Sequence, residues 1–276
     1  MTKKTFKFLL CILACTAPFL SEAVKPLVPI KDVHKREKKL IQVWTSLAPH
    51  ISIVRAIGGS LVNVASVVPQ SSDPHNFEMP PSQIEKLSSS DVWFGGGDGF
   101  ERQASKAIGA RVLFRDLNKG KPHGLLDPDS LKDQARQVAD ILKNLDPESA
   151  LYFERNLGEF IDNVDLTDRK VKDILARAKT KTLLVMHPAF TTFCEYYGIE
   201  QLNVSTCDQC TSIRHIEHVE KRAHALKLKT LYIQPQEQSL AAIGAAEKLK
   251  LKMEILDPYE EDVLSNFIKI AQAAAL

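Results

Sequence analysis

The stretch PESALYFERNLGEFIDNVDLTDRKVKDILARAK (Pro147–Lys179) decides the fold of this 276-residue chain. After its first residue it contains no proline, and its only glycine is Gly158. Its apolar side chains recur every three or four residues, which is the spacing of one helix face. At 1.5 Å per residue, an unbroken helix of this length would extend about 50 Å. The pattern predicts one long helix between two halves of the chain.

Short apolar runs alternate with longer helical patterns on both sides of this helix. Because such alternation is typical of parallel sheets covered by helices, each half is expected to form a βα lobe. The chain is therefore predicted to be an α/β protein, with two βα lobes that contain parallel sheets and are joined by one long spine helix. The predicted strands are 41–45, 61–68, 91–94, 182–186, 230–233 and 253–256, and the predicted helices are 49–57, 81–87, 190–197, 213–226, 239–249 and 261–274.

The first 23 residues have the pattern of a secretory signal peptide. Three lysines precede an apolar stretch at 8–20, and Ser21-Glu22-Ala23 resembles a cleavage site. Cleavage before Cys15, which would leave a lipid anchor, is the alternative. The expected division is a signal peptide at 1–23, an N-terminal lobe at 24–146, the linker spine helix at 147–180 and a C-terminal lobe at 181–276.

The overall charge argues against nucleic acid as a partner. The chain has 36 Lys and Arg residues against 34 Asp and Glu residues, a formal net charge of +2. This leaves no strong basic excess to neutralise phosphates. The composition, 44% hydrophobic and 25% charged, is typical of a globular protein.

Four candidate metal ligands each follow a short apolar run of the sequence. His187 and Asp257 come directly after strands 182–186 and 253–256, whereas His75 and His123 follow apolar runs through short turns. Ligands of open α/β sheets bind at the carboxyl ends of strands. Three imidazoles and one carboxylate are also a complete tetrahedral set for zinc. Since each lobe supplies two of the four residues, the sequence predicts a metal site between the lobes.

Around these residues the chain resembles the solute-binding proteins of ABC importers for zinc and manganese, the zinc-uptake and TroA-like group (cluster A-I). The resemblance covers nearly all of the chain after the signal region, and the order of its motifs is specific. The matching motifs are Val67-Val68-Pro69 with Asp73-Pro74-His75-Asn76-Phe77-Glu78, Pro122-His123-Gly124-Leu125-Leu126-Asp127-Pro128, Tyr152–Asn156, Met186-His187-Pro188-Ala189-Phe190 and Leu256-Asp257-Pro258.

The resemblance implies a periplasmic binding protein rather than an enzyme. Family members carry metal ligands at the positions of His75, His123, His187 and Asp257. The expected role is capture of one divalent ion and delivery to an ABC permease by a monomer that meets the membrane only through the permease or a lipid anchor. Two features depart from the family pattern: Leu125 replaces a usual aromatic residue, and the histidine-rich loop of many zinc members is missing.

Zinc is the favoured ion, with manganese and iron as alternatives. Neutral imidazoles suit zinc, whereas oxygen-rich ligand sets suit manganese. In the family that this chain resembles, manganese members tend to have Glu where His187 stands. Metal affinity is expected to rise with pH, because histidine must be neutral to bind a metal.

A second metal site and two other functions stay open at this stage. Cys207 and Cys210 precede His215 and His218 at a spacing much shorter than that of zinc fingers, so a disulfide between the two cysteines is the more favoured reading. A secreted zinc hydrolase is disfavoured, because a fourth ligand at Asp257 would leave no position for water. A metal-binding surface adhesin is the other alternative.

Overall fold

The computed structural model describes residues 39–70, 72–97, 99–119, 124–205 and 212–275, without the side chains of His75 and Ile213. The first lobe contains a parallel sheet in the order β2-β1-β3-β4. Its strands are β1 (Ile41–Thr45), β2 (Val62–Ser66), β3 (Val92–Gly95) and β4 (Leu113–Asp116), and its helices are α1 (Ala48–Gly58), α2 (Pro81–Leu87), α3 (Gly99–Ile108) and α4 (Pro128–Leu145).

The second lobe repeats this architecture with a parallel sheet in the order β6-β5-β7-β8. Between the lobes, the spine helix α5 runs unbroken over Ala150–Arg177 after a short 3-10 turn. The strands of the second lobe are β5 (Thr182–Val185), β6 (Glu200–Asn203), β7 (Thr230–Ile233) and β8 (Lys252–Ile255), and its helices are α6 (Thr191–Tyr197), α7 (Ile213–Ala225), α8 (Leu240–Leu249) and α9 (Val263–Ala274). The predicted fold class is confirmed.

The spine helix α5 packs along one face against both lobes. It contacts α1 and α4 of the first lobe and α9 of the second. Its side chains belong to a single apolar core that includes β1 and β5. Asn156 Nδ2 also donates to the carbonyl oxygen of Ile57 at 2.9 Å, which satisfies a backbone acceptor at the end of α1. The buried positions of α5 follow the spacing of one helix face: Phe153, Leu157, Phe160, Val164, Thr167, Val171 and Leu175.

Helices α3 and α4 and strands β4 and β6 are absent from the predicted elements, although an apolar run was recognised before His123. Helix α4 has an evident start signal, since the Asp127 side chain accepts hydrogen bonds from the backbone N–H groups of Asp129 and Ser130 at 2.9 and 3.0 Å. Strand β6 lies at the sheet edge, and its sequence EQLN has no apolar run. Its pairing with β5 is therefore a tertiary effect.

No helix within the described ranges is long and apolar enough to cross a membrane.

Candidate metal centre

His187 lies just beyond the carboxyl end of β5, as predicted. The backbone on its N-terminal side is anchored to β7, because Met186 N–H donates to the carbonyl oxygen of Tyr232 at 2.8 Å. On its C-terminal side, Ala189 N–H donates to the carbonyl oxygen of His187 at 2.8 Å. The side chain is 26% exposed. The imidazole is thus carried on a fixed turn and is open to an incoming ligand.

Asp257 lies beyond the end of β8, two strands from β5. Its Oδ1 accepts a hydrogen bond from Tyr259 N–H at 2.8 Å, and its carbonyl oxygen accepts one from Asn266 Nδ2 of α9, also at 2.8 Å. Burial raises the pKa of the Asp257 carboxyl, while the Tyr259 N–H acts in the opposite direction. Since burial disfavours the negative charge, a cation bound here would stabilise the ionised form.

Glu237 is a third side chain at this edge that is chemically able to bind a metal. It was not selected from the sequence as a site residue. It ends a short 3-10 turn, Pro235–Glu237, that follows β7. Its Oε1 lies 4.0 Å from His187 Nδ1, and its side chain is 28% exposed. Burial raises the pKa of Glu237, and nearby Asp73 raises it further, whereas Gln234 N–H and His187 lower it. The strand-end rule that selected His187 also applies to Glu237, which comes four residues after β7 ends.

The side chains of the two ligand candidates from the first lobe, His75 and His123, are outside the described part of the structure. His75 is in the 3-10 turn Pro74–Asn76, and its side chain is outside the described set. His123 belongs to 120–123, which is also outside it. The turn that carries His75 is braced by a hydrogen bond of 2.6 Å from Asn76 Nδ2 to Asp73 Oδ2. Among the side chains that are described, no three His, Cys, Asp or Glu residues form a metal-binding group.

The loops after β2 and β7 meet across the two lobes. Gln236 Nε2 donates to the carbonyl oxygen of Gln70 at 3.0 Å. Asp73, from the loop after β2, lies near enough to Glu237 to raise its pKa. The loop that carries His75 therefore lies opposite the turn that carries Glu237, beside His187.

Residues 43–275 match the family model of ZnuA, the periplasmic component A of a zinc-uptake complex. The chain belongs to this family. A Chlamydia muridarum protein described as metal-binding is 34% identical over 251 residues, which cover 85% of this chain and 90% of that protein. The manganese ABC transporter substrate-binding lipoprotein PsaA of Streptococcus mitis is 24% identical over 233 residues, 74% of each chain.

A solved structure with the same fold has zinc bound. The crystal structure of a ZnuA deletion mutant with zinc matches this chain with a TM-score of 0.80 at 26% identity, and the match covers 86% of this chain and 99% of the other. The predicted resemblance to metal-binding solute-binding proteins of ABC importers is confirmed by the family match.

The glycine-rich loop after β3 is held by hydrogen bonds to a side chain of its own lobe. Buried Glu101 accepts hydrogen bonds from Gly96 N–H at 2.6 Å and Gly97 N–H at 2.7 Å. Gly97 has a φ of 90°, a conformation that favours glycine. The loop is thus a strand-to-helix turn held by a carboxylate.

The rival cysteine and histidine site is only partly described. Cys207 and Cys210 belong to 206–211, outside the described residues, so both the site and the disulfide stay predictions. His215 Nε2 lies 2.8 Å from the carbonyl oxygen of Asn203. Because a carbonyl can only accept, this nitrogen carries the proton in that contact and is not free to bind a metal.

Proposed function

We propose that this chain is an extracytoplasmic solute-binding protein that captures a divalent metal ion between its lobes and delivers it to an ABC permease. The observation that carries the proposal is the placement of His187 and Asp257 at the carboxyl ends of β5 and β8, in a chain that belongs to the ZnuA family. The relatives named above include a manganese transporter component and a zinc-bound structure.

The proposed ligands are His75 and His123 from the first lobe and His187 and Asp257 from the second. Three imidazoles and one carboxylate form a four-coordinate set that suits zinc. We propose zinc as the preferred ion, with manganese and iron as the alternatives for a competition experiment, since nitrogen-rich sites favour the later transition metals.

The same proposal covers the organisation and location of the chain. Residues 1–23 would direct export, with lipid attachment at Cys15 as the alternative, and residues 24–146 and 181–276 would form the two metal-binding lobes around the spine at 147–180. The mature protein would act as a monomer. Because one apolar core extends through both lobes, metal release would use small lobe shifts rather than a wide hinge motion.

A hydrolase is not favoured by the relatives or by the site. Four protein ligands would occupy the positions that a tetrahedral ion offers, so no activated water could be held. The family model and the Streptococcus mitis relative named above are both described as transport components. The same names favour transport over the adhesin alternative.

Isothermal calorimetry on ligand variants tests the proposed site. His187→Ala and Asp257→Asn should each weaken zinc binding about 100-fold or more, equivalent to ~2.8 kcal/mol. The first variant removes one of four ligands, and the second replaces the only negatively charged ligand by a neutral one. His75→Ala and His123→Ala should behave in the same way.

His224→Ala is the matched control, because His224 is an exposed histidine on α7 that belongs to neither candidate metal site. Its zinc affinity should equal that of the unchanged protein. Unaltered affinity in His187→Ala would contradict the four-ligand site.

Delivery is tested separately by reconstituting the metal-loaded protein with its permease in vesicles. Stimulated ATP hydrolysis and metal uptake are expected for a transport component. A protein that binds zinc but elicits neither response would favour the adhesin alternative.

A further inference from the structure

We infer that Glu237 is a positioning residue whose carboxylate orients the His187 imidazole for metal binding. This inference rests on the proposed metal site. The two carboxylate oxygens have different partners: Oε2 accepts a hydrogen bond from Gln234 N–H at 3.4 Å, and Oε1 lies 4.0 Å from His187 Nδ1. One oxygen is therefore held by its own turn while the other faces the imidazole.

The sheet topology places the turn that carries Glu237 after the strand that lies between β5 and β8. Strand β7 pairs with β5 on one side and with β8 on the other, and these two strands precede His187 and Asp257. The turn that carries Glu237 is held at several points. Glu237 N–H donates to Gln234 at 3.0 Å, Ser239 N–H donates to Glu237 at 2.7 Å, and Gln236 Nε2 reaches the carbonyl oxygen of Gln70 at 3.0 Å. A carboxylate on such a backbone has a defined position.

The chemistry of imidazole explains what this position does. A neutral histidine has one N–H donor and one free lone pair. If Nδ1–H faces the carboxylate, the lone pair is on Nε2 and is available to the metal. Outer partners of this kind fix the tautomer and ring orientation of metal-binding histidines and increase their basicity. The present 4.0 Å separation is longer than a hydrogen bond, so the imidazole must approach the carboxylate by about 1 Å to complete the contact.

Three variants distinguish the ways in which Glu237 could affect zinc affinity: through its negative charge, through its hydrogen-bond acceptor, or through a general effect on the structure. Glu237→Gln keeps the size and the acceptor for Gln234 N–H but removes the charge, whereas Glu237→Ala removes the acceptor as well. Glu247→Gln removes a carboxylate from an exposed site on α8 of the same lobe and is the matched control. Zinc affinity should fall about 10-fold in Glu237→Gln and up to about 100-fold in Glu237→Ala, the range typical of outer partners. The control should match the unchanged protein.

The tautomer of His187 gives a readout that loss of packing alone would not change. In ¹⁵N NMR of the metal-free protein, His187 should be protonated at Nδ1, and Glu237→Ala should shift the proton towards Nε2. The absorption intensity of the Co²⁺-loaded protein should remain that of a four-coordinate ion with and without Glu237, because the number of ligands stays constant. A fall to the weak absorption of a higher-coordinate ion in Glu237→Ala would make Glu237 a direct ligand and would overturn the positioning role.

The His187→Ala variant distinguishes the two possible failures. If it binds Zn²⁺ as tightly as the unchanged protein, the proposed metal site is wrong. If it loses Zn²⁺ while both Glu237 variants retain full affinity and the Nδ1 tautomer, the site stands and the positioning role is wrong.

Discussion

Asp257 and Glu237 show at the residue scale how burial acts on carboxylates at a strand end. Burial raises the pKa of both groups, and a single backbone N–H opposes this effect in each. The remaining charges are weaker influences of both signs. Glu260 raises the pKa of Asp257 and Lys269 lowers it, whereas His187 lowers the pKa of Glu237 and Asp73 raises it. The partly buried negative charge at this edge is therefore incompletely compensated by the protein, which is an electrostatic condition for cation binding.

Cys194 is expected to be chemically inert in the folded protein. It is 2% exposed, and burial raises the pKa of its thiol to about 12. Because the thiolate is the reactive form, a Cys207→Ser/Cys210→Ser variant of the mature protein should not react with an aromatic disulfide reagent at about pH 8. The same sample unfolded in guanidinium should release one equivalent of thiolate dye. Rapid labelling before unfolding would contradict the burial of Cys194.

Replacing Cys207 and Cys210 by Ser also tests the rival metal site. If the proposed site holds the metal, this double variant should keep a stoichiometry of one zinc ion per chain in elemental analysis. The reason is that neither cysteine belongs to the proposed set of ligands. If the double cysteine variant loses its zinc ion while His187→Ala keeps one, the metal is bound by the cysteine pair.

At the scale of elements, the spine helix α5 contributes to stability through its buried face. Phe153 has no exposed surface, whereas Leu151, two residues earlier on the same helix, is 87% exposed. Phe153→Ala should lower the free energy of unfolding by about 3–5 kcal/mol, since it leaves a cavity in the core. Leu151→Ala should change it by less than ~0.5 kcal/mol. Denaturant titration measures both values, and equal effects would contradict the packing of α5.

An ion pair between α4 and α5 should make the stability depend on pH. Lys132 Nζ lies 2.9 Å from Asp165 Oδ1, and this hydrogen bond lowers the pKa of Asp165. A lowered pKa stabilises the fold above the ordinary aspartate pKa, and the contribution disappears as the pH falls through the lowered value. Asp165→Asn should therefore destabilise the protein at neutral pH, and the difference should vanish in acid.

The size of that effect is limited by solvent. Asp165 has a side chain that is 44% exposed, so screening reduces the expected loss to about 1 kcal/mol or less. Asp162→Asn changes an exposed position one turn away on α5 and is the control. At each pH, its free energy of unfolding should match that of the unchanged protein. If the free energies of unfolding of Asp165→Asn and the unchanged protein differ by the same amount from neutral to acid pH, the Lys132–Asp165 ion pair is not the cause of the difference.

In the whole molecule, two polar contacts and a shared apolar core connect the two lobes. Arg55 of α1 forms an ion pair with Glu261, just before α9. Gln236 and Gln70 form a hydrogen bond beside the candidate metal centre. Together with the shared apolar core, these contacts join the two lobes. Metal binding is therefore expected to stabilise the molecule as one unit.

Thermal unfolding with and without zinc measures this coupling. A ligand that binds only the folded state adds about 2.7 kcal/mol of stability at a free concentration of 100 times its Kd. The unchanged protein should therefore melt in one transition at a higher temperature when zinc is added. His187→Ala should show no such increase, and Mg²⁺, which prefers oxygen ligands, should have little effect on either protein. No shift with zinc would contradict an interlobe site.

Local patterns were sufficient for most elements of the fold. The 33-residue apolar repeat from Pro147 predicted the spine, because helical periodicity depends only on residues three or four apart. Strands β1 and β7 were predicted at their observed bounds, since short β-branched runs between turns are recognisable locally. The predicted positions of His187 and Asp257 beyond strand ends agree with the structure for the same reason.

The sequence by itself determined most of the elements, the two-lobed organisation and the strand-end positions of His187 and Asp257. Only the tertiary structure decided that polar β6 pairs with β5 and that β7 lies between β5 and β8. Strand order depends on the joint packing of helices and sheet rather than on any local repeat. For this reason the proximity of Glu237 to His187, fifty positions apart in the sequence, became visible only in the folded chain.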